Sequence, residues 1–484
     1  MTVRRSVAWT FLGQGVFFVI QYGGSIVLAR LLTPKEMGVY AIALGTIGIL
    51  GTFVSLGLTN YVIRERELSP EKFGTAFCVN ALIATLLALA TWLLAWPIGH
   101  YMREDGVTRV LQVLALAPLL GLLEFPSTAI MQREMRFKPL AVVQILRAAL
   151  TAGITIWAAM NGLSYMSLVW GTLSGNLLGL VCLTLLARPF GRLRPSLAAW
   201  REVAHFGSRM MLISGVIGLA VRAPEFILGR LLGLAAVGLY SRASSMLGMI
   251  WDNIYSSVTH VLVPSLAEVN RTQPTLRPVY LKALAVITGL FWPAFGGVAI
   301  LAGPLMHWMY GTQWGAAAPV LALLCVAQMV QVAMTMTWEI FVIKGELNRQ
   351  ARFEIVRAAF LVLAFYLGAT VGMNAAAASR IAEALFAVAL YAPHMRRMTG
   401  ASYGDFLRTY AGSAKLLAAA LAPPALLMHA AGWRDDISLP YLFACVALGA
   451  AGWLAAAFLT AHPVADEVRR VMQLARSQLA SRAR

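Results

Sequence analysis

Five arginines lie within long apolar stretches of this chain: Arg147, Arg209, Arg222, Arg242 and Arg380. A guanidinium stays charged across the physiological pH range, and its planar fork of donors matches two oxygens of a phosphate or carboxylate at once. A lone charge among lipid tails is costly, so such groups are the first candidates for holding an anion. The acids in comparable positions are Glu124, Glu225, Asp252, Glu339 and Glu383. They are candidates for coupling to an ion gradient. Arg222 with Glu225 and Arg380 with Glu383 are each three residues apart, which puts each pair on one helical face. A carboxylate there either neutralises its arginine or, once protonated or bound by a cation, releases it to an anionic ligand. Arg209, Arg242 and Arg380 fall within about 6 residues of a predicted span end, about 9 Å at helical rise, where a long side chain snorkels; Arg147 and Arg222 sit deeper. Glu339 and Asp252 have no partner at helical spacing, leaving them to cap, to pair across helices or to face water.

The elements that must position these residues are membrane spans. Fifty-nine per cent of the 484 residues are hydrophobic and 12% charged, more apolar surface than one or two water-soluble cores can bury. Stretches of spanning length run almost end to end, and no soluble domain is left over. We place spans near 7–29, 38–63, 73–99, 109–131, 140–160, 163–187, 204–229, 238–263, 279–303, 315–341, 355–373, 375–391, 415–431 and 438–460. The tight pair around Asn374 and the thirteenth span, where Pro423 and Pro424 are expected to kink or interrupt the helix, are the places where a count of twelve or thirteen would arise. With a cytoplasmic N-terminus, 28 of the 39 Lys and Arg fall in inner segments. Six fall in outer ones (Arg30, Lys35, Arg103, Arg109, Arg230 and Arg434), and the remaining five are the span arginines. That asymmetry orients both termini toward the cytoplasm.

An internal repeat organises the spans. LARLLTPKEMGVY, Leu28 to Tyr40, aligns without gaps on LGRLLGLAAVGLY, Leu228 to Tyr240, with six identities at an offset of 200 residues. Each copy joins the first two helices of a half. The expected organisation is therefore an all-α membrane protein of about 14 helices: an N-terminal lobe at 1–197, a homologous six-helix lobe at 198–400, and two further helices with a basic tail at 401–484. In the first copy Thr33, Pro34 and Glu36 form a capping-box start; the second lacks them and relies on Gly233 for the turn.

Other chemistries find no support. The net charge of +18 is spread thinly between apolar segments, which argues against nucleic acid. Cys78, Cys182, Cys325 and Cys445 have no paired spacing, so neither disulfides nor a metal site is expected, and no nucleotide loop or nucleophile elbow implies a cofactor or an enzyme. The start MTVRRSVAW reads as a retained first span rather than a cleaved leader. Trp170, Trp251, Tyr255 and Trp338 are expected as interface anchors, and the basic tail from Arg469 as an amphipathic helix on anionic lipid.

The stretch LARLLTPKEMGVYAIALGTIGILGTFVSLGLTNYVI with RERELSPEKFGTAFCVN, and QREMRFKPLAVVQILRAA from Gln132 to Ala149, resembles the polysaccharide transporter family of Wzx-type oligosaccharide flippases, within the multidrug/oligosaccharidyl-lipid/polysaccharide exporter superfamily. The resemblance implies two six-helix lobes, alternating access, and a cargo of undecaprenyl-pyrophosphate-linked repeat units for O-antigen, capsule or exopolysaccharide. Membrane lipids and polysaccharide polymerase machinery are the partners it implies. A multidrug exporter of the same superfamily is the rival transporter, although its cationic drugs favour an acidic cavity. An integral-membrane polymerase or ligase is the rival enzyme, although the longest outer connection here, near Gly303 to Trp314, is short for a catalytic loop.

Overall fold

The computed structural model describes residues 3–52, 58–65, 69–187, 196, 200, 218–272, 275–470 and 473. Arg209, the first part of the seventh expected span and nearly all of the basic tail lie outside the described residues. The described chain is almost entirely helical: α1 (Val3–Leu31), α2 (Pro34–Thr52), α3 (Leu58–Arg64), α4 (Pro70–Met102), α5 (Asp105–Leu114), α6 (Ala117–Arg133), α7 (Phe137–Met160), α8 (Met166–Ala187) and α9 (218–231). There follow α10 (Leu234–Thr272), α11 (Arg277–Ile300), α12 (Ala302–Tyr310), α13 (Ala318–Val332), α14 (Thr337–Ile343), α15 (Leu347–Val371), α16 (Met373–Thr399), α17 (Tyr403–Ala430) and α18 (Leu439–Leu459). Among the described residues, 10 helical segments are long and apolar enough to cross a bilayer, and they coincide with expected spans three to six and nine to fourteen. The other four expected spans fall on α1, on α2 with α3, on α9 and on α10.

The residues form two compact units, Met1–Gly238 and Leu239–Arg484. This grouping follows contact, whereas the division into repeats follows sequence correspondence, so the one does not test the other.

The first unit shows how a membrane helix sorts its side chains. On α4, Leu82, Leu86, Leu89 and Leu93 form one exposed apolar stripe, while Phe73, Ala76, Ala84, Ala88, Thr91 and Ala95 are buried. Large apolar groups face lipid, and mostly small ones allow close helix packing. The capping box at α2 is present: Thr33 N donates to Glu36 Oε2 at 2.7 Å, and Glu36 N donates to Thr33 Oγ1 at 3.3 Å. In the second copy Gly233 turns the chain with φ +85°, as the repeat requires. The first turns of α2 and α10 meet through their matched glycines. A Cβ on Gly38 would stand 1.8 Å from the Leu234 carbonyl oxygen, and one on Gly238 would stand 1.8 Å from the Pro34 carbonyl oxygen. Each glycine therefore sits on the carbonyl of the residue equivalent to the one its counterpart sits on.

In the second unit, α11 packs on α17 and α13, around fully buried Tyr280, Phe291, Phe295 and Trp314. The hairpin expected near Asn374 turns on Gly372, φ +153°, a single residue between α15 and α16. Of the kink or interruption expected at Pro423 and Pro424, the interruption does not occur: α17 runs unbroken through both. Two prolines deprive the carbonyls four residues earlier, Ala419 and Ala420, of their helical donors. Gly452 and Gly449 of α18 approach those two oxygens so closely that a Cβ would lie 2.3 and 3.0 Å away, placing Cα–H groups against them. The neighbouring helix thus compensates for what local sequence lacks.

Candidate functional site

The membrane charges are positioned by helix faces cut to receive them. In the first unit, Arg222 and Glu225 on α9 are joined at 3.4 Å, as their spacing predicts. Opposite them α2 offers Gly45 and Gly48, also three residues apart. A Cβ on Gly45 would be 2.9 Å from Glu225 Oε2, and one on Gly48 would be 3.6 Å from Arg222 Nε. The two-glycine face admits the pair without a side chain in the way. Glu225 is well buried, and its Oε2 has no hydrogen-bond partner among the described residues. The Arg222 side chain stays 42% exposed.

Arg147 on α7 has a different setting. Its Nη1 contacts Glu124 of α6 at 3.1 Å and its Nη2 donates to Asn176 of α8. Gly171, Gly175 and Gly179 of α8 lie against Thr155, Thr151 and Arg147 of α7, so a ridge of small residues brings the two backbones together where the arginine must reach across. Both partners escape local reading: Glu124 is 23 residues away, and Asn176 carries no charge.

In the second unit the expected Arg380–Glu383 pair forms at 3.4 Å, but within a larger chain of charges. Glu383, 1% exposed, also takes Arg357 Nε at 3.4 Å. Arg357 continues to Glu354 at 3.2 Å, and Glu354 accepts the Tyr391 hydroxyl at 2.7 Å. Arg357 falls at the very start of the expected span 355–373, where sequence reasoning counts it with the inner basic residues. Because α15 starts at Leu347, Arg357 lies about 15 Å along the helix at its ordinary rise.

Arg242, expected to snorkel, is instead buried at 9% exposure. Its guanidinium carbon lies 5.0 Å from the Tyr310 ring centroid and 5.5 Å from that of Trp314, an aromatic setting that answers its charge. Glu339 is reached across helices by the Tyr255 hydroxyl at 3.1 Å, and Asp252 is exposed. Trp170 and Trp338 are exposed, whereas Trp251 stacks on Tyr255 at 4.4 Å and touches Phe291 at 5.0 Å. Among the described residues, no cluster of three or more His, Cys, Asp or Glu is placed to hold a metal ion.

Outside the spans, Glu346 between α14 and α15 is held below the ordinary carboxylate range. Partial burial pushes it up, but the hydrogen bond from Arg397 and the charges of Arg349 and Arg397 outweigh that effect.

Helices of this length and apolar composition define a multi-pass α-helical membrane protein. The profile of the polysaccharide biosynthesis protein family matches residues 27–319, and the chain belongs to that family. It is 27% identical over 327 residues to the succinoglycan biosynthesis transport protein ExoT of Rhizobium meliloti (strain 1021), the match spanning 68% of this chain and 66% of that one. Identity to the lipopolysaccharide biosynthesis protein WzxC of Escherichia coli (strain K12) is 24%, over 71% of this chain and 70% of that one. The fold is that of a solved lipid II flippase MurJ in an inward closed conformation, with TM-score 0.72 and 11% identity over 94% of this chain and 98% of that one. An inward-facing multidrug resistance MATE family transporter shares it at TM-score 0.62 and 14% identity, over 80% of this chain and 96% of that one.

Proposed function

We propose that the protein is a flippase that moves undecaprenyl-pyrophosphate-linked oligosaccharide from the inner to the outer leaflet of the bacterial inner membrane by alternating access, with both termini cytoplasmic. Membership of a polysaccharide biosynthesis family supports the class of cargo. The observation that carries the reading is Arg222, a half-exposed guanidinium at membrane depth whose acidic contact among the described residues is Glu225 on its own helix, at 3.4 Å. Pyrophosphate needs a permanent, forked positive charge in a dry interior, and Arg222 supplies one while Glu225 neutralises it between cargoes. Its first-repeat equivalent is Tyr22, so the repeated fold itself does not demand the charge. Arg147 and Arg380 are already engaged by acids and help shape the cationic interior; Arg242 serves packing. The six-plus-six lobes at 1–197 and 198–400 remain our reading of the repeat.

The test is flipping of a lipid-pyrophosphate oligosaccharide in proteoliposomes. Arg222→Ala should abolish flipping, and Arg222→Lys should keep part of it, because an ammonium replaces the fork. Both variants should insert normally. Full recovery in Arg222→Gln combined with Glu225→Ala would reduce the arginine to a structural partner and overturn the phosphate role.

A further inference from the structure

Where α15 begins and α16 ends, the chain gathers more positive charge than its own acids answer. Arg349 and Arg352 stand in the first two turns of α15, and Arg396 and Arg397 in the last turn of α16. Two of the four share the Glu346 carboxylate: Arg349 Nη1 lies 2.5 Å from Oε2, and Arg397 Nη2 donates to Oε1 at 2.7 Å and to Oε2 at 2.6 Å. Among the described residues no carboxylate engages Arg352 or Arg396. The neighbouring acids are committed elsewhere, Asp405 to Arg277 at 2.8 Å and Glu354 to Arg357 at 3.2 Å. Four guanidiniums therefore surround one carboxylate.

The surplus charge opens onto two clefts joined by the Glu346–Arg397 pair. One, of about 440 Å³, is lined by Pro393, Arg396, Arg397 and the chain from Gly400 to Tyr403; the other, of about 250 Å³, is lined by Glu346, Asn348, Arg349 and Arg352. Arg396 lays its guanidinium over the Tyr403 ring, with its carbon 5.0 Å from the centroid. Stacking uses the flat face of the fork and leaves its donor edge free. Arg396 and Arg397 lie beyond the expected span end at 391, and Arg352 lies before the span start at 355. At helical rise they stand about 5–9 Å outside the hydrocarbon, the level of lipid headgroups. Directly beneath, the same helix faces carry exposed apolar side chains: Val356 and Leu363 on the face of Arg352, Leu385 on that of Arg396, and Leu407 one turn after Tyr403. An acidic protein would meet the arginines but not this apolar continuation. The surface fits a molecule with an anionic head and apolar chains.

We propose that the start of α15, the end of α16 and the Gly400–Tyr403 segment bind an anionic glycerophospholipid, its phosphate held by Arg396 and Arg397 and its acyl chains lying on the apolar faces below. Arg349 and Arg352 add to the attracting field, and Glu346 keeps the guanidiniums from driving one another apart. A basic pocket between membrane helices on the cytoplasmic side suits a phosphate headgroup, and this end is cytoplasmic in the orientation proposed above. The site belongs to the second compact unit and Arg222 to the first, so it stands whether or not the protein moves a lipid-linked sugar.

The test is titration of fluorescent phosphatidylglycerol into the purified full-length protein in an uncharged detergent. Wild-type protein should bind it saturably, with displacement by unlabelled phosphatidylglycerol and none by phosphatidylcholine. Each arginine at headgroup level contributes about fivefold, so Arg396→Gln should weaken binding about fivefold and Arg396→Gln with Arg352→Gln about 25-fold. Arg396→Lys should keep most of the affinity, because the charge stays. Arg136→Gln removes the same charge from an exposed inner position in the first unit and should change nothing. An equal loss in Arg136→Gln would reduce the effect to net charge and overturn the proposal. So would displacement by inorganic phosphate as effective as that by the lipid, displacement by polyglutamate but not by unlabelled phosphatidylglycerol, or tighter binding of farnesyl pyrophosphate, which would assign the surface to a free anion, a protein or the cargo.

Discussion

An alanine at Gly38 should disturb this protein far more than its one methyl group suggests. The added Cβ would stand 1.8 Å from Leu234 O, 2.7 Å from Leu234 C and 3.2 Å from Gly238 N, all of them backbone atoms. A carbon-to-oxygen contact needs about 3.3 Å, so the first turns of α2 and α10 must part by about 1.5 Å. No side-chain rotation relieves the clash, and overpacking of this kind costs about 1–3 kcal/mol. Gly238→Ala meets the same obstacle in Pro34 O at 1.8 Å. Because one separation of the two turns relieves both clashes, the double variant should cost clearly less than the sum of the singles. Gly248→Ala, in α10, is the control: nothing lies within 4 Å of its Cβ, so the change should be neutral or stabilising by up to about 1 kcal/mol through helix propensity.

The assays are the apparent melting midpoint in detergent and hydrogen exchange of peptides covering 34–40 and 234–240. Both single variants should melt earlier and lose amide protection in the two segments together, with a sub-additive double. In the proposed transport cycle they should also favour whichever state holds the two repeated hairpins apart. Unchanged melting and exchange in Gly38→Ala, or a fully additive double, would refute the reciprocal contact.

Arg147→Ala should leave Glu124 buried without its cation and cost about 1–3 kcal/mol, with Glu124→Gln restoring much of the loss in the double variant, read as melting midpoints. Because the Glu346 carboxyl is held below its unfolded value, its contribution is present above the ordinary carboxylate pKa of about 4.3 and fades as pH falls through the lower folded value. Glu346→Gln should therefore melt earlier than wild type at pH 7, and the gap should begin to close below about pH 4 and vanish only once pH has fallen past the lower folded value; a constant gap would contradict the ion-pair account. Reporter fusions after Arg271, Asn348 and Thr399 should read cytoplasm, and those after Lys35, Asp105 and Gln313 the outer side. A reversed report at any of these positions would break the assigned orientation.

What is legible in the sequence follows helical geometry closely. The Thr33–Glu36 capping box, the Gly233 turn, and the Arg222–Glu225 and Arg380–Glu383 pairs all appear, because each is set within one turn of chain. Contacts that cross helices are out of its reach. Nothing local links Arg147 to Glu124, Arg357 to Glu383 or Tyr255 to Glu339, and each depends on which helices become neighbours. Arg242 departs from expectation for a related reason: depth along a helix says how far a side chain is from its end, but not that Tyr310 and Trp314 stand beside it. The unbroken α17 likewise depends on glycines in another helix.

Glycine spacing nevertheless carries information about which helices meet. Gly45 and Gly48 on α2 repeat the three-residue spacing of Arg222 and Glu225, and Gly171, Gly175 and Gly179 on α8 repeat the four-residue spacing of Thr155, Thr151 and Arg147. A charged pair inside a bilayer has to be held by a neighbour that presents no bulk where the long side chains lie. The periodicity of the notch must therefore match the periodicity of the pair. Matched spacing of this kind is written in the amino-acid sequence itself, and it constrains the pairing of α2 with α9 and of α8 with α7. It does not reach the aromatic cradle of Arg242. That cradle depends on side chains that are large and apolar, and in a membrane chain such residues are too common for spacing alone to single them out.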